Sequence, residues 1–170
     1  MKKYEFTGET KRVELWNRTA TLHRIKATVE FGFVKVGELG GWIEKEENLS
    51  HEGKAWVWGN AEVCGDAEVW GNAKVWGNAK VCGDAKVCGD AEVFLASHVL
   101  VMGSVGSRND FTTFFRDKDN EITVKCGCFL GKIDKFLEKV TQTHGNNKYA
   151  LVYRAAVEVA KLQIELTERK

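Results

Sequence analysis

The chain has 170 residues, 25 basic and 24 acidic, for a net charge of +1, with five cysteines and no proline. That balance excludes the basic surface a duplex nucleic-acid binder needs, and the lack of any ~18-residue apolar run excludes a membrane-spanning helix. The length suits one domain with appendages. MKKYEFTGET has no apolar signal core, which predicts a cytoplasmic protein.

Residues 1–48 are rich in β-branched and aromatic side chains. KYEF, RVELW, ATLHRIKATVEF and VKV predict short strands. This segment is expected to cap the N-terminal end of a repeat region, because stacked repeats need their open ends covered.

From Trp56 a six-residue unit recurs: WVWGNA, EVCGDA, EVWGNA, KVWGNA, KVCGDA, KVCGDA, EVFLAS, decaying through HVLVMG and SVGSRN. Valine stands at every sixth place from Val57 to Val105, with a small residue two places earlier. Gly-Asn or Gly-Asp follows from Gly59-Asn60 to Gly89-Asp90 and supplies a corner. The fold class predicted is mainly β, a parallel β-helix of hexapeptide repeats over residues 49–106. Side-chain alternation turns the valines inward and their neighbours outward. Steps of eighteen then set Glu62 beside Lys80, Glu68 beside Lys86 and Lys74 beside Glu92. Opposite charges so placed fix register. The outward rows Trp58, Trp76, Phe94 and Cys82, Leu100 form an apolar patch that predicts a homotrimer interface. Cys64, Cys82 and Cys88 occupy positions otherwise held by Trp or Phe, so they are expected to pack as reduced thiols.

Residues 107–170 are expected to form an α+β module. Phe111 to Arg116 and Glu121 to Cys126 predict a hairpin around DKDN. Ile133, Phe136, Leu137 and Val140 predict a helix that Gly145 stops. Tyr149 through Leu162 predict a second, longer helix ending near the tail Glu168-Arg169-Lys170.

The segments Arg24–Thr28, Gly37–Ala61, Val105–Phe115, Cys126–Phe136 and His144–Ala156 resemble a family of hexapeptide-repeat proteins encoded by phages and prophages, with no assigned activity. The resemblance implies a left-handed, trimeric β-helix and a bacterial host cell. It transfers no catalytic residue and no cofactor.

Two polar clusters are candidate ligand sites. Ser107, Arg108, Asn109, Asp110, Thr112 and Thr113 combine a guanidinium, hydroxyls and a Gly-Ser turn suited to an anion. His144, Asn146, Asn147, Lys148, Tyr149, Tyr153 and Arg154 combine aromatic faces with hydrogen-bond donors, although an Asn there also serves as a helix cap. Cys126 and Cys128 are expected as a buried pair on one strand face; C-x-C with the distant His144 is a weak metal pattern, and no metal site is predicted. His98 is expected to point outward as a surface or interface histidine; in a hexapeptide acyltransferase it would be the general base.

Three functions fit these features. The first is a non-enzymatic trimer that binds a small nucleotide-like ligand through its C-terminal module, acting in a phage as a sponge for a host immune nucleotide signal. The second is a coenzyme A-dependent acyltransferase. The third is an assembly protein without a ligand.

Overall fold

In the computed structural model, which describes residues 1–166, the six-residue punctuation limits what the repeat can build. Each glycine from Gly59 to Gly89 closes its unit with φ between 58° and 72°, a conformation in which a Cβ is strained. Two residues per unit are left to extend. The resulting strands are β4 (Trp56–Val57), β5 (Glu62–Val63), β6 (Glu68–Val69), β7 (Lys74–Val75), β8 (Lys80–Val81), β9 (Lys86–Val87) and β10 (Glu92–Val93). They pair in parallel at a step of eighteen: β4 with β7, β7 with β10, β5 with β8, and β6 with β9. The valines from Val57 to Val93 and the alanines between them are almost wholly buried. Each valine removed from water contributes about 1.5–3 kcal/mol.

On either side the chain changes pattern. β1 (Tyr4–Glu14) and β2 (Thr19–Ala27) form an antiparallel hairpin with a bulge between Phe6 and Thr10, so KYEF and RVE lie in one strand. β3 (Leu39–Ile43) pairs antiparallel with β2 and parallel with β5. GELGGW allows that junction, because a Cβ on Gly41 would stand 2.7 Å from the Ala61 carbonyl oxygen. VEF and VKV form no strand; Phe31 and Val34 close a tight loop instead. After the repeat, β11 (Val99–Val105), β12 (Asp110–Arg116), β13 (Ile122–Cys126) and β14 (Phe129–Lys132) make an antiparallel sheet. α1 (Ile133–His144) and α2 (Lys148–Gln163) pack on it through Phe136, Val140, Tyr153 and Val157. The expected tail Glu168-Arg169-Lys170 lies outside the described residues.

The left-handed parallel β-helix expected over residues 49–106 is therefore corrected. The described chain forms four small sheets, ordered β1-β2-β3-β5-β8, β10-β7-β4, β11-β12-β13-β14 and β6-β9. None closes, and the repeat ladders are only two or three strands deep. The reason is local. Corners every six residues hold each strand to two residues, and pairing turns antiparallel on either side, β3 with β2 before the repeat and β12 with β11 after it.

Two further expectations change. Glu62 and Lys80, and Glu68 and Lys86, do sit in register, yet of the three predicted pairs only Lys74–Glu92 closes to ion-pair distance among the described residues, at 3.7 Å. Glu62 binds Lys11 of the hairpin instead, at 2.7 Å. Cys64 and Cys82, expected as packing thiols, are joined in a disulfide across adjacent rungs, beneath Ala20, Leu22, Val13 and Leu15 of the hairpin. Cys88 is buried and free, and burial pushes its thiol up to about 11. Among the described residues no helix is long and apolar enough to cross a membrane.

Candidate ligand cleft

The three-stranded ladder β4-β7-β10 exposes a column of side chains after each valine: Trp58, Trp76 and Phe94. Trp76 and Phe94 stack at 5.1 Å between centroids, and the Arg116 guanidinium lies over Phe94 at 4.9 Å. Trp58 is fixed by an Nε1–H bond to Glu38, at 3.0 Å. The residues before the valines differ along the ladder. At β4 that residue is Trp56, fully buried under Phe31 of the tight loop, at 5.4 Å. At β7 and β10 it is the Lys74–Glu92 pair.

The tight loop converts this face into a cleft. Phe33 at its tip is 80% exposed, and the Lys74 ammonium lies 5.1 Å from its ring centre. The loop is anchored from beneath by Lys3, which donates to the Ala55 carbonyl at 2.7 Å and faces the Phe31 ring at 4.8 Å. Burial lowers the Lys3 pKa to about 8. The cleft encloses about 290 Å³ between Phe33, Trp58, Lys54, Asn72, Glu92 and Lys118. A shallower depression shares Phe33, Trp58, Lys74 and Glu92 and extends to Trp76. The space is near the lower end of the ~300–1,000 Å³ usual for small-molecule sites. At its far side Lys118 holds Asp90 at 2.9 Å. That bond, with a second from Asn72, keeps the Asp90 carboxyl below its ordinary range. Lys54 forms no ion pair with a described residue.

The residues singled out from the sequence divide between structural roles and one small cluster. Ser107 Oγ and His144 Nε2 are 3.5 Å apart. The His144 ring stacks on Tyr153 at 5.8 Å and tilts against Tyr149 at 5.7 Å. Burial, followed by the neighbouring Cys126, raises the Tyr153 hydroxyl pKa, opposed by its hydrogen bond to Ser107. A Cβ on Gly106 would overlap that hydroxyl, so the chain passes directly against the Tyr153 ring there. Arg108 turns away to lie against Gly127. Arg154 bonds Asn146 at 3.0 Å, Thr141 at 3.2 Å and the Gly145 carbonyl at 2.9 Å. The two arginines thus serve different turns. Asn147 caps α2 by accepting from the Ala150 N–H, and Lys148 lies over the Tyr149 ring. Thr113 accepts from the Lys86 N–H, Thr112 donates to Cys126 Sγ, Asp110 accepts from the Phe111 N–H, and Asn109 takes φ 49° in the turn.

The expected cysteine pair separates. Cys126 is half-buried, and Cys128, past the Gly127 turn, is exposed. No group of three or more metal-ligating side chains occurs among the described residues. Of the expected interface rows, Cys82 lies in the disulfide and Leu100 packs into the α1–α2 core. Trp58 and Trp76 line the cleft and its extension.

His98, expected outward, is fully buried. Its Nδ1 accepts the Phe94 and Leu95 N–H groups at 3.2 and 3.3 Å. A base so engaged cannot reach a substrate. Sequence reasoning missed Phe33, Lys54 and Lys118, which lie outside the valine-flanking positions. The isolated aromatics in VEFGFVKV were the available signal. No family model and no curated protein matches this chain.

Proposed function

We propose that this protein binds a small nucleotide-like ligand, one planar ring bearing an anionic group, and does not transform it. The observation that carries the reading is the cleft in which the exposed Phe33 ring and the Trp58 indole stand beside Lys54, Lys74 and Lys118. Aromatic faces stack on any base, with a contribution of about 1–3 kcal/mol per base, and ammonium groups supply point charges for phosphate. Asn72, Asp90 and Glu92 offer partners for sugar hydroxyls. The carboxylates of the lining, Asp90 and Glu92, are each held by a lysine, which favours binding over turnover. The cleft lies apart from the C-terminal clusters expected from the sequence, in which Asn147 caps a helix and Arg154 braces a turn.

A protein that binds without turnover acts by stoichiometry. With the resemblance to phage-encoded proteins, that supports sequestration of a host nucleotide signal as the biological use. Calorimetric titration with AMP, cyclic dinucleotides and ADP-ribose tests the reading. At least one should bind the wild type and bind Phe33→Ala at least about fivefold more weakly. Equal affinity of both proteins for every ligand that binds would place the site elsewhere.

A further inference from the structure

Resting on that reading, we infer that the cleft selects a ligand with a single negative charge, a phosphodiester-type monoanion such as a 3′,5′-cyclic nucleotide, over a polyphosphate. The charge arrangement carries the argument. Three ammonium groups line the cleft, but two are already matched: Lys118 holds Asp90 at 2.9 Å and Lys74 holds Glu92 at 3.7 Å. Lys54 alone has no ion-pair partner among the described residues. Behind the lining, Arg116 lies 3.8 Å from Glu92, Glu38 sits at the Trp58 indole, and Lys132 and Asp119, paired at 2.9 Å, act on Asp90 and Lys118, so the second layer adds charges of both signs in equal number. The net charge offered is +1.

A phosphodiester carries one negative charge and meets Lys54 without disturbing either pair. A triphosphate brings further charge within reach of Asp90 and Glu92. It must either break the Lys118–Asp90 bond or set phosphate oxygens beside a carboxylate, and like charges at such range are unfavourable. The two acidic side chains therefore act as the discriminating element, and Lys54 as the anchor.

The test is calorimetry with one base in three charge states: 3′,5′-cyclic AMP, AMP and ATP, at constant ionic strength. The wild type should bind cyclic AMP at least about fivefold more tightly than ATP. Asp90→Asn with Glu92→Gln should reverse that preference, and Lys54→Gln should weaken cyclic AMP by about tenfold. The substituted side chains are partly exposed, and thermal denaturation confirms that the variants fold. ATP binding the wild type more tightly than cyclic AMP, or an unchanged ratio in the double variant, overturns the charge argument and leaves the cleft reading standing. Failure of all three to bind the wild type overturns the charge argument, and the cleft reading falls with it when cyclic dinucleotides and ADP-ribose also fail to bind.

Discussion

His98 and Asn48 occupy equivalent places in two three-residue 3-10 turns, Glu46–Asn48 and Ala96–His98. Asn48 Oδ1 accepts the N–H groups of Glu44 and Lys45, four and three residues back, at 3.1 and 2.8 Å. His98 Nδ1 accepts those of Phe94 and Leu95, again four and three residues back. An imidazole nitrogen thus does the work of an amide oxygen, and His98→Asn should preserve the turn to within about 1 kcal/mol. His98→Ala leaves two partly buried donors unpaired and a void behind Phe94. At about 1–3 kcal/mol per unpaired donor, reduced for partial exposure, the loss should be about 2–4 kcal/mol. The pH dependence follows from the same geometry. Burial first, and then the Arg116 charge, hold the folded His98 pKa below its ordinary 6.5, with Glu165 opposing. The unfolded chain therefore binds the extra proton first. The stability tied to His98 is complete above about pH 6.5 and declines as pH falls below it, by up to about 1.4 kcal/mol per pH unit. Urea denaturation at pH 7.5 and 5.5 reads both effects. His98→Asn should flatten the decline in part, leaving the share of His51, whose pKa burial also lowers. An alanine variant as stable as wild type, or an asparagine variant with unaltered pH dependence, would refute the reasoning.

Phe33→Ala should weaken ligand binding without lowering the unfolding free energy by more than about 0.5 kcal/mol, since the ring is largely exposed; paired calorimetry and urea denaturation check this. Val75→Ala, at the centre of the β4-β7-β10 ladder and fully buried, should cost about 1.5–3 kcal/mol by the same denaturation. Gly106→Ala combines φ 78° with overlap on the Tyr153 hydroxyl, and should lower stability by at least about 2 kcal/mol. Alkylation of the unreduced native protein, followed by peptide mass spectrometry, should label Cys128 readily, leave Cys88 slow, and leave Cys64 and Cys82 unlabelled until reduction.

The hexapeptide unit makes the inward valines, the glycine corners and the eighteen-residue step legible, because each is a strictly local requirement repeated in phase. α1, α2 and the β12–β13 hairpin lie within two residues of their expected bounds, since apolar spacing and Gly145 mark them directly. The long β-helix reads too much into the repeat. Periodicity reports the geometry of each unit, while the extent of the stack depends on what meets its ends, and those meetings, β3 with β5 and Thr113 with Lys86, join residues far apart in sequence. The same limit hides the cleft. Phe33 and Lys118 lie 85 positions apart and meet only through the ladder between them. The C-terminal clusters look like a site because their residue types suit one, yet Asn147 is a cap and Arg154 a brace across the α1–α2 turn. Position in the repeat points His98 outward, although the 3-10 turn at Ala96–His98 has already left the repeat geometry.

Occupancy of the cleft by a small ligand can be read from what the protein carries out of the cell. Wild type and a Phe33→Ala, Lys54→Gln double variant, purified in parallel, would be denatured and the released small molecules identified by mass spectrometry. Wild type should release an anionic, ultraviolet-absorbing compound in near-stoichiometric amount, and the variant at least about tenfold less. Equal release from both proteins, or no compound from wild type, would contradict that occupancy.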